Sequence, residues 1–389
     1  MNRYLNGARL FVGLFLLAAI LFVFPAESCA APADADATLQ LRGRVLAVEN
    51  LEPDEELAGF VTTEQLATVE IIAGKYKGEV YTLLNYLTDH PYFDIVLEPG
   101  DKVLLRGETD AEGKLRTVEL EDRIRDTYLY RLAGLFILLL VLVGRRKGFI
   151  TVVTLGITVA CVFGILLPLL LRGYAPIPLA VLVSAVVTFI TLVALNGLQR
   201  KTFAALIGTV GGVLVAGLLA YFAGSAAHLT GFSSEEAQML QFMELGNIDV
   251  RGLLFAGIII GALGAVMDVA MSIAAASYEI YLNAPAITMR QLIQSALNVG
   301  TDMMGTMANT LILAYAGASL PLMLLFLGAD TPLFSIINRD LIATEVIRAL
   351  AGSIGIITAV PLTAVTSGLL RPAGAKTPQE MLQEVQKEG

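Results

Sequence analysis

Two acidic side chains of this sequence stand in long apolar runs, where a charge is most costly. Asp268 lies in the segment Gly261-Ala-Leu-Gly-Ala-Val-Met-Asp-Val-Ala-Met-Ser272, and Asp302 stands at the start of the next apolar run. A charge in the middle of a membrane helix costs roughly 2.5–3.5 kcal/mol on insertion scales, so it usually marks a pathway or a paired structural site. Both acids are therefore candidates for binding an ion.

At helical spacing, each acid shares a face with particular neighbours. The face of Asp268 holds the small residues Gly257, Gly261, Gly264, Ser272 and Ala275. The face of Asp302 is a polar stripe of Asn298, Asp302, Thr306 and Asn309. The first face could also be a packing surface with one hydrogen-bonded carboxylate. The second could be a helix start that Asp302 caps. Because packing requires only the glycines, the functional interpretation is favoured for both, and Ser272, Thr306 and Asn309 join the candidate site.

A third candidate is the pair Glu345 and Arg348, which opens the last apolar run at i and i+3. Gly352 and Gly355 continue the same helical face. The pair is either an internal ion pair that neutralises both charges, or an outer gate or charge partner for a carboxylate in the core.

Metal and enzyme chemistry have weaker signals. Methionines flank both acids, at Met267, Met271, Met303 and Met307. Thioether, amide and carboxylate together would suit a softer divalent ion, but methionine is more often lipid-facing or core filler, so the metal stays open. The sequence contains no HExxH motif, no GxSxG motif and no Walker loop. It has only two cysteines and two histidines. We therefore expect no enzyme activity, catalytic residue or cofactor.

The composition indicates a membrane protein. Hydrophobic residues make up 56% of the 389 residues and charged residues only 16%, whereas soluble domains carry about a quarter. A lipid bilayer as the main partner explains the shortfall. The net charge of -9 argues against a nucleic-acid partner, because phosphate binding requires clustered Lys and Arg.

Residues 1–30 have the pattern of a signal segment. Arg3 and Arg9 precede an apolar run from Leu10 to Phe24, and Ser28-Cys29-Ala30 resembles a small-x-small cleavage site. We favour cleavage after Ala30. An uncleaved anchor is the alternative, and a lipoprotein at Cys29 fits less well.

Residues 38–124 are predicted to form a small β domain of about six short strands. The turns Gly74–Gly78, Glu98–Asp101 and Asp110–Gly113 separate strand-like runs, and Asp94–Leu97 is one of the predicted strands. Such a pattern suits a small closed barrel of OB-like type.

Residues 128–371 are predicted to be a membrane domain with about seven spans. The spans are placed near 128–144, 149–171, 176–196, 202–224, 252–277, 304–327 and 342–370. A helix lying on the membrane surface is predicted over 284–301. One set of ends carries Arg145, Arg146, Lys147, Arg200, Lys201, Arg290, Arg371 and Lys376, and the opposite loops carry Arg172, Arg251 and Arg339. Because Lys and Arg favour the cytoplasm, the β domain is expected outside the cytoplasm and the tail 372–389 inside.

Several long segments carry a resemblance to a known family. They are Asn85-Tyr-Leu-Thr-Asp-His-Pro-Tyr-Phe-Asp94, the fourth span with Gly208, Gly211 and Gly212, the stretch from Arg251 to Ser272, and the stretch from Asn298 to Gly317. On these the chain resembles the YibE/F-like family of bacterial multi-pass membrane proteins, over about residues 41–370. The resemblance implies a bacterial inner-membrane protein of this topology and transfers no activity or catalytic residue.

The sequence leaves three functions open. The leading hypothesis is an ion- or proton-coupled transporter or permease with Asp268 and Asp302 facing each other at similar depth. The second is a membrane scaffold or assembly partner that binds another protein through its outer β domain. The third, less favoured, is an intramembrane aspartyl protease. A homo-oligomer is compatible with each of them.

Overall fold

The computed structural model describes residues 38–53, 59–90, 92–110, 113–242 and 248–370. The predicted signal segment 1–30 and the tail 372–389 lie outside the described residues. Within them the chain forms two units, with the division between Leu139 and Leu140.

The first unit contains a five-stranded antiparallel sheet. Its strands are β1 Thr38–Leu51, β2 Thr63–Ile71, β3 Val80–Leu87, β4 Lys102–Thr109 and β5 Leu115–Arg123. The strand order is β3-β2-β1-β4-β5, and β3 also approaches β5. The sheet therefore curls into a nearly closed barrel, and the predicted OB-like fold is confirmed.

The long strand β1 makes this closure possible because it serves both halves of the barrel. Its first part pairs with β4 and its second part with β2, and Gly43 takes part in both ladders. A Cβ atom on Gly43 would lie 2.5 Å from Leu105 Cδ1, so glycine leaves room for the core where the strand changes partner. Val45, Val69 and Leu105 are among the side chains buried inside.

The predicted strand at Asp94–Leu97 is wrong, since the structure has no strand there. Side chains satisfy this backbone instead of a ladder. Asn85 Nδ2 donates to the Ile95 carbonyl at 2.8 Å, and Leu97 N donates to Gln65 Oε1 at 2.9 Å. Alternating apolar residues alone do not reveal this kind of competition.

Helices make up the rest of the described chain. They are α1 Asp126–Cys161, a π-helical turn Val162–Leu166, α2 Leu167–Leu171, α3 Pro176–Asn196, α4 Arg200–Ala226, α5 Glu235–Phe242, α6 Val250–Asn283, α7 Met289–Ala318, α8 Leu320–Gly328, α9 Leu333–Ile337 and α10 Asp340–Leu369.

In the described residues, five helical stretches are long and apolar enough to cross a membrane, and the bent pair α7–α8 makes a sixth. The longest stretch, Asp126–Leu171, has 46 residues. It would measure roughly 70 Å at 1.5 Å per residue, more than twice a ~30 Å hydrocarbon core. Its helical dihedrals break at Arg145, where φ is 48° and ψ is -124°. The break divides the stretch into two segments of membrane length, which brings the number of spans near seven.

The helix α6 lies at the centre of the second unit, against α3, α4, α7 and α10. Glycines bring the helices close together: a Cβ atom on Gly212 of α4 would lie 2.8 Å from Val266 Cγ1 and 2.7 Å from the Gly355 carbonyl oxygen. As residue numbers rise along α6, the contacting numbers fall along α4, from Gly217 at Ile259 to Gly212 at Val266. These two helices are therefore antiparallel, as consecutive spans require.

The predicted surface helix over 284–301 is wrong. One continuous helix, α7, begins at Met289 and runs to Ala318, followed by a 57° bend into α8. Thr288 and Gln291 form a capping box that starts α7, and Pro321 stands in the first turn of α8. Since capping boxes and prolines fix helix boundaries, the amphipathic segment forms the first turns of the longer helix α7 instead of a short helix of its own.

Candidate functional site

Asp268 lies close to the middle of α6. Its carboxylate is exposed in a single chain, together with Gly257, Gly261 and Gly264 on the same face. A Cβ atom on Gly257 or Gly264 would meet no heavy atom within 4 Å. In the described part of the chain, no hydrogen bond or ion pair reaches Asp268. Around Gly257, Gly264 and Asp268 the small-residue face is therefore an uncovered surface of this protomer, and Ser272 at its edge is half-buried.

The polar stripe of α7 also faces outward. Asn298, Asp302, Thr306 and Asn309 are all exposed, whereas Leu292, Ala296 and Gly300 on the opposite side are buried. Thr306 Oγ1 donates to the Met303 carbonyl at 2.8 Å, and Asn298 Oδ1 accepts from Gln294 Nε2 at 3.1 Å. Among the described residues, Asp302 and Asn309 have no such partner.

Two contacts align α7 with α6. A Cβ atom on Gly261 would lie 2.7 Å from the Tyr315 hydroxyl, and one on Gly300 would lie 2.9 Å from Ile273 Cδ1. By interpolation between these contacts, Asp268 is level with about residue 306 and Asp302 with about residue 271. The two acids thus differ in depth by roughly 5 Å at 1.5 Å per residue.

Similar depth does not bring the two carboxylates together. At about 100° per residue, Asp302 points roughly 140–160° away from Gly300 and Tyr315, the α7 residues that face α6. Asp268 and Asp302 therefore lie on separate outward faces of one protomer, and the sequence-based expectation that they face each other within the chain does not hold.

The methionines near the two acids take part in packing. Met267 and Met271 pack beside Leu192 and Ala204, and Met307 packs against the main core of the second unit. Asn196 Nδ2 donates to Met271 Sδ at 3.4 Å. In the residues that the structure describes, no group of three or more His, Cys, Asp or Glu side chains is placed to hold a metal ion.

Glu345 and Arg348 form the ion pair that their spacing allows. The Arg348 Nη1 and Glu345 Oε1 atoms are 2.9 Å apart, and the two side chains are 30% and 22% exposed. The guanidinium carbon of Arg348 lies 5.9 Å from the centroid of the Tyr315 ring, and the Tyr315 hydroxyl abuts Gly261. The pair is thereby connected to the face of α6 that carries Asp268.

Tyr315 is the residue that sequence reasoning missed. The sequence feature that could have indicated it is a tyrosine inside an apolar run, because its phenol brings a polar hydroxyl into an otherwise apolar site. In the structure this hydroxyl faces a glycine of the preceding long helix. The Nε atom of Arg348 is buried and has no hydrogen-bond partner in the described structure. This corner of the membrane unit therefore holds a charge that protein atoms satisfy only in part.

The barrel unit carries a separate exposed loop segment around Asp94, of which residues 88–90 and 92–94 are described. The Asp94 carboxylate accepts hydrogen bonds from the backbone N–H groups of Thr88 and His90 and from the Thr88 hydroxyl. These bonds lower the pKa of Asp94, with the Thr88 N–H contributing most. Between His90 and Asp94, Tyr92 and Phe93 are 83% and 70% exposed.

Comparison with protein families finds two matches. The model described as YibE/F-like protein matches residues 132–373, and the YibE/F family N-terminal domain matches residues 39–123. Comparisons with curated proteins and with solved structures give no match. The two matched regions contain the helical unit with Asp268 and the strands of the barrel, and together they cover nearly the whole chain. The chain belongs to the YibE/F-like family.

Proposed function

We propose that this protein is an ion- or proton-coupled transporter or permease in which Asp268 carries the coupling site. The observation that supports it is the position of this acid. Asp268 lies about 2 Å from the midpoint of α6 at 1.5 Å per residue and has no partner within the described chain. A charge in the hydrocarbon core makes insertion and folding less favourable, and packing of the glycine face gains nothing from the acid. Ion binding gives the acid a role.

The site that we propose is completed by a second copy of the chain. Two copies inserted in the same orientation are related by an axis along the membrane normal, so each residue keeps its depth in both. Asn309 and Asp268 differ in depth by roughly 3 Å. The amide of Asn309 in one copy can then donate to the Asp268 carboxylate of the other, and the α7 stripe covers the open face of α6.

In this arrangement Glu345 and Arg348 stand at one end of the pathway. Arg348 lies beside Tyr315, and Tyr315 lies beside the glycine face that leads to Asp268. We assign the ion pair the role of a gate, opened when Arg348 exchanges Glu345 for another acceptor. Asp302, at similar depth to Asp268, is the second carboxylate of the site.

The membrane, the orientation and the termini are part of the same proposal. The eight-to-three excess of Lys and Arg at one set of span ends, together with the signal segment, supports a bacterial inner-membrane protein. The barrel then lies outside the cytoplasm, and the C-terminus lies inside.

A second function, assembly with another protein through the outer barrel, is favoured by one observation. Tyr92 and Phe93 are held outward by a loop that Asp94 orders, and exposed aromatic side chains are typical of binding surfaces. No comparable observation favours a protease, because the two acids point in different directions.

Ion flux into proteoliposomes tests the proposed function. Vesicles loaded with a dye selective for H⁺, Na⁺, K⁺ or Mg²⁺, and given a gradient of the same ion, should show faster flux of at least one ion than protein-free vesicles. Equal rates for all four ions, in both gradient directions, would refute it.

Cysteine cross-linking tests the second copy separately. In a chain with Cys29 and Cys161 replaced, Asn309→Cys combined with Asp268→Cys should form a disulfide-linked dimer in the membrane, because the proposed interface brings these two positions together. Leu214→Cys combined with Asp268→Cys is the matched control, since Leu214 is also exposed but lies on α4. Equal cross-linking of the two pairs would contradict the proposed interface.

A further inference from the structure

A pocket lies where the ends of four membrane helices meet. It is lined by the start of α4, the ends of α6 and α10, and the start of α7, and it is partly open to the outside. Ala204, Ala274 and Leu292 give it an apolar floor, and Arg200 and Lys201 contribute two positive charges.

Both cations lack an acidic partner in the described part of the chain. Lys201 Nζ lies 5.0 Å from the centroid of the Tyr278 ring, and Arg200 Nη1 donates to the Leu370 carbonyl at 3.1 Å. Both residues occupy the first turn of α4, where the positive end of the helix dipole adds to their charge. The carbonyl ends of α6 and α10 also meet here and oppose the dipole of α4, so the positive charge of the pocket is that of Arg200 and Lys201.

Two hydroxyl groups at the pocket lack acceptors. Ser277 is 2% exposed, and its Oγ atom has no hydrogen-bond partner in the described structure. The Oγ atom of Ser367, which also lines the pocket, has none either. A buried hydroxyl without a partner is costly. Both oxygen atoms are shielded from solvent, so the two groups can donate to the oxygen atoms of a ligand once their side chains rotate into the pocket.

The pocket lies at the depth of lipid headgroups. Ser277 is about 16 Å from the midpoint of α6 at 1.5 Å per residue, and half of a hydrocarbon core is about 15 Å. Tyr278 and Tyr281 also line it, and tyrosine is common at this boundary. A ligand here can have an apolar part over Leu292 and a charged part at the cations.

We infer that this pocket binds a phosphate group, with Arg200 and Lys201 matching its charge and Ser277 and Ser367 donating hydrogen bonds to its oxygens. The phosphate comes from either the headgroup of an anionic phospholipid or free phosphate, and both present the same chemistry. This inference does not depend on the transport proposal, because it concerns a different set of residues at the helix ends.

Ligand-induced stabilisation of the purified full-length chain tests the site. The thermal midpoint in detergent is measured against increasing phosphatidylglycerol, phosphatidylcholine or inorganic phosphate. Lys201→Gln should weaken the response to the phosphate source roughly five- to tenfold, and Ser277→Ala should weaken it less. Lys201→Arg keeps the charge and should keep the response. Arg290→Gln, exposed at the start of α7, is the matched control and should behave as wild type.

The three ligands separate the sources. A response to phosphatidylglycerol alone identifies a lipid headgroup, and a response to inorganic phosphate identifies the free ion. Stabilisation that is equal for phosphatidylcholine and phosphatidylglycerol and absent with inorganic phosphate would overturn the inference. Equal losses in Lys201→Gln and Arg290→Gln would overturn it as well, because they would show general surface charge.

Discussion

Replacing Gly212 with alanine places a methyl group where three membrane helices meet. The new Cβ atom would lie 2.7 Å from the Gly355 carbonyl oxygen and 2.9 Å from the Ala359 Cβ atom, whereas ordinary contacts begin at 3.4 Å. The helices must therefore move apart by about 0.5–0.7 Å. Overpacking of this kind costs roughly 1–3 kcal/mol, partly offset by the ~1 kcal/mol that alanine gains over glycine in a helix.

Gly156→Ala is the matched control, since a Cβ atom on Gly156 in α1 would meet no heavy atom within 4 Å. It should leave stability unchanged or raise it slightly. We expect the free energy of unfolding of Gly212→Ala to be about 1–3 kcal/mol below that of the control. Helicity followed by circular dichroism during a denaturing-detergent titration measures the difference. A Gly212→Ala variant as stable as Gly156→Ala would refute the close packing of α4, α6 and α10.

Three further predictions concern the ion pair, the barrel loop and the topology. Glu345→Gln should lower the yield of folded protein and Arg348→Gln should partly restore it, because a lone buried charge destabilises more than an absent pair; additive losses would argue against the pairing. The pKa of Asp94 is lower in the folded protein than in the unfolded chain. The contribution of the Asp94 carboxylate to stability is therefore complete above the unfolded pKa of about 3.9 and is lost as the pH falls below that value. Amide protection in the loop should therefore fall on acidification in wild type but not in Asp94→Asn. A reporter fused after Lys201 should be cytoplasmic, and a reporter fused after Asp126 should be external. The reverse pattern would contradict the orientation inferred from the Lys and Arg bias.

Much of the architecture could be predicted because it depends on local patterns. The alternation of apolar residues indicated the barrel, and the run lengths indicated the spans. The signals that failed were those decided by particular side chains. Asn85 and Gln65 bind the backbone where a sixth strand was predicted, and the segment predicted as a short surface helix belongs to the longer helix α7, which begins at the Thr288 capping box.

Sequence patterns singled out the residues of the proposed site but could not supply their geometry. Helical spacing grouped each acid with neighbours on its own helix face, and alternating spans placed Asp268 and Asp302 at similar depth. Which face turns toward a neighbouring helix depends on long-range packing, such as Gly300 against Ile273 and Gly261 against Tyr315. Single-sequence periodicity carries no information on these contacts, so the outward direction of both acids required the structure.

Charge removal at the two acids tests the central claim most directly. Asp268→Asn and Asp302→Asn keep the shape of each side chain and its capacity to hydrogen-bond, so both variants should insert and unfold like wild type. Flux is measured with the ion that wild type transports into proteoliposomes. We expect the flux through each single variant, and through the double variant, to fall to the rate of protein-free vesicles. A folded double Asn variant with the wild-type flux would contradict the claim that these carboxylates carry the ion.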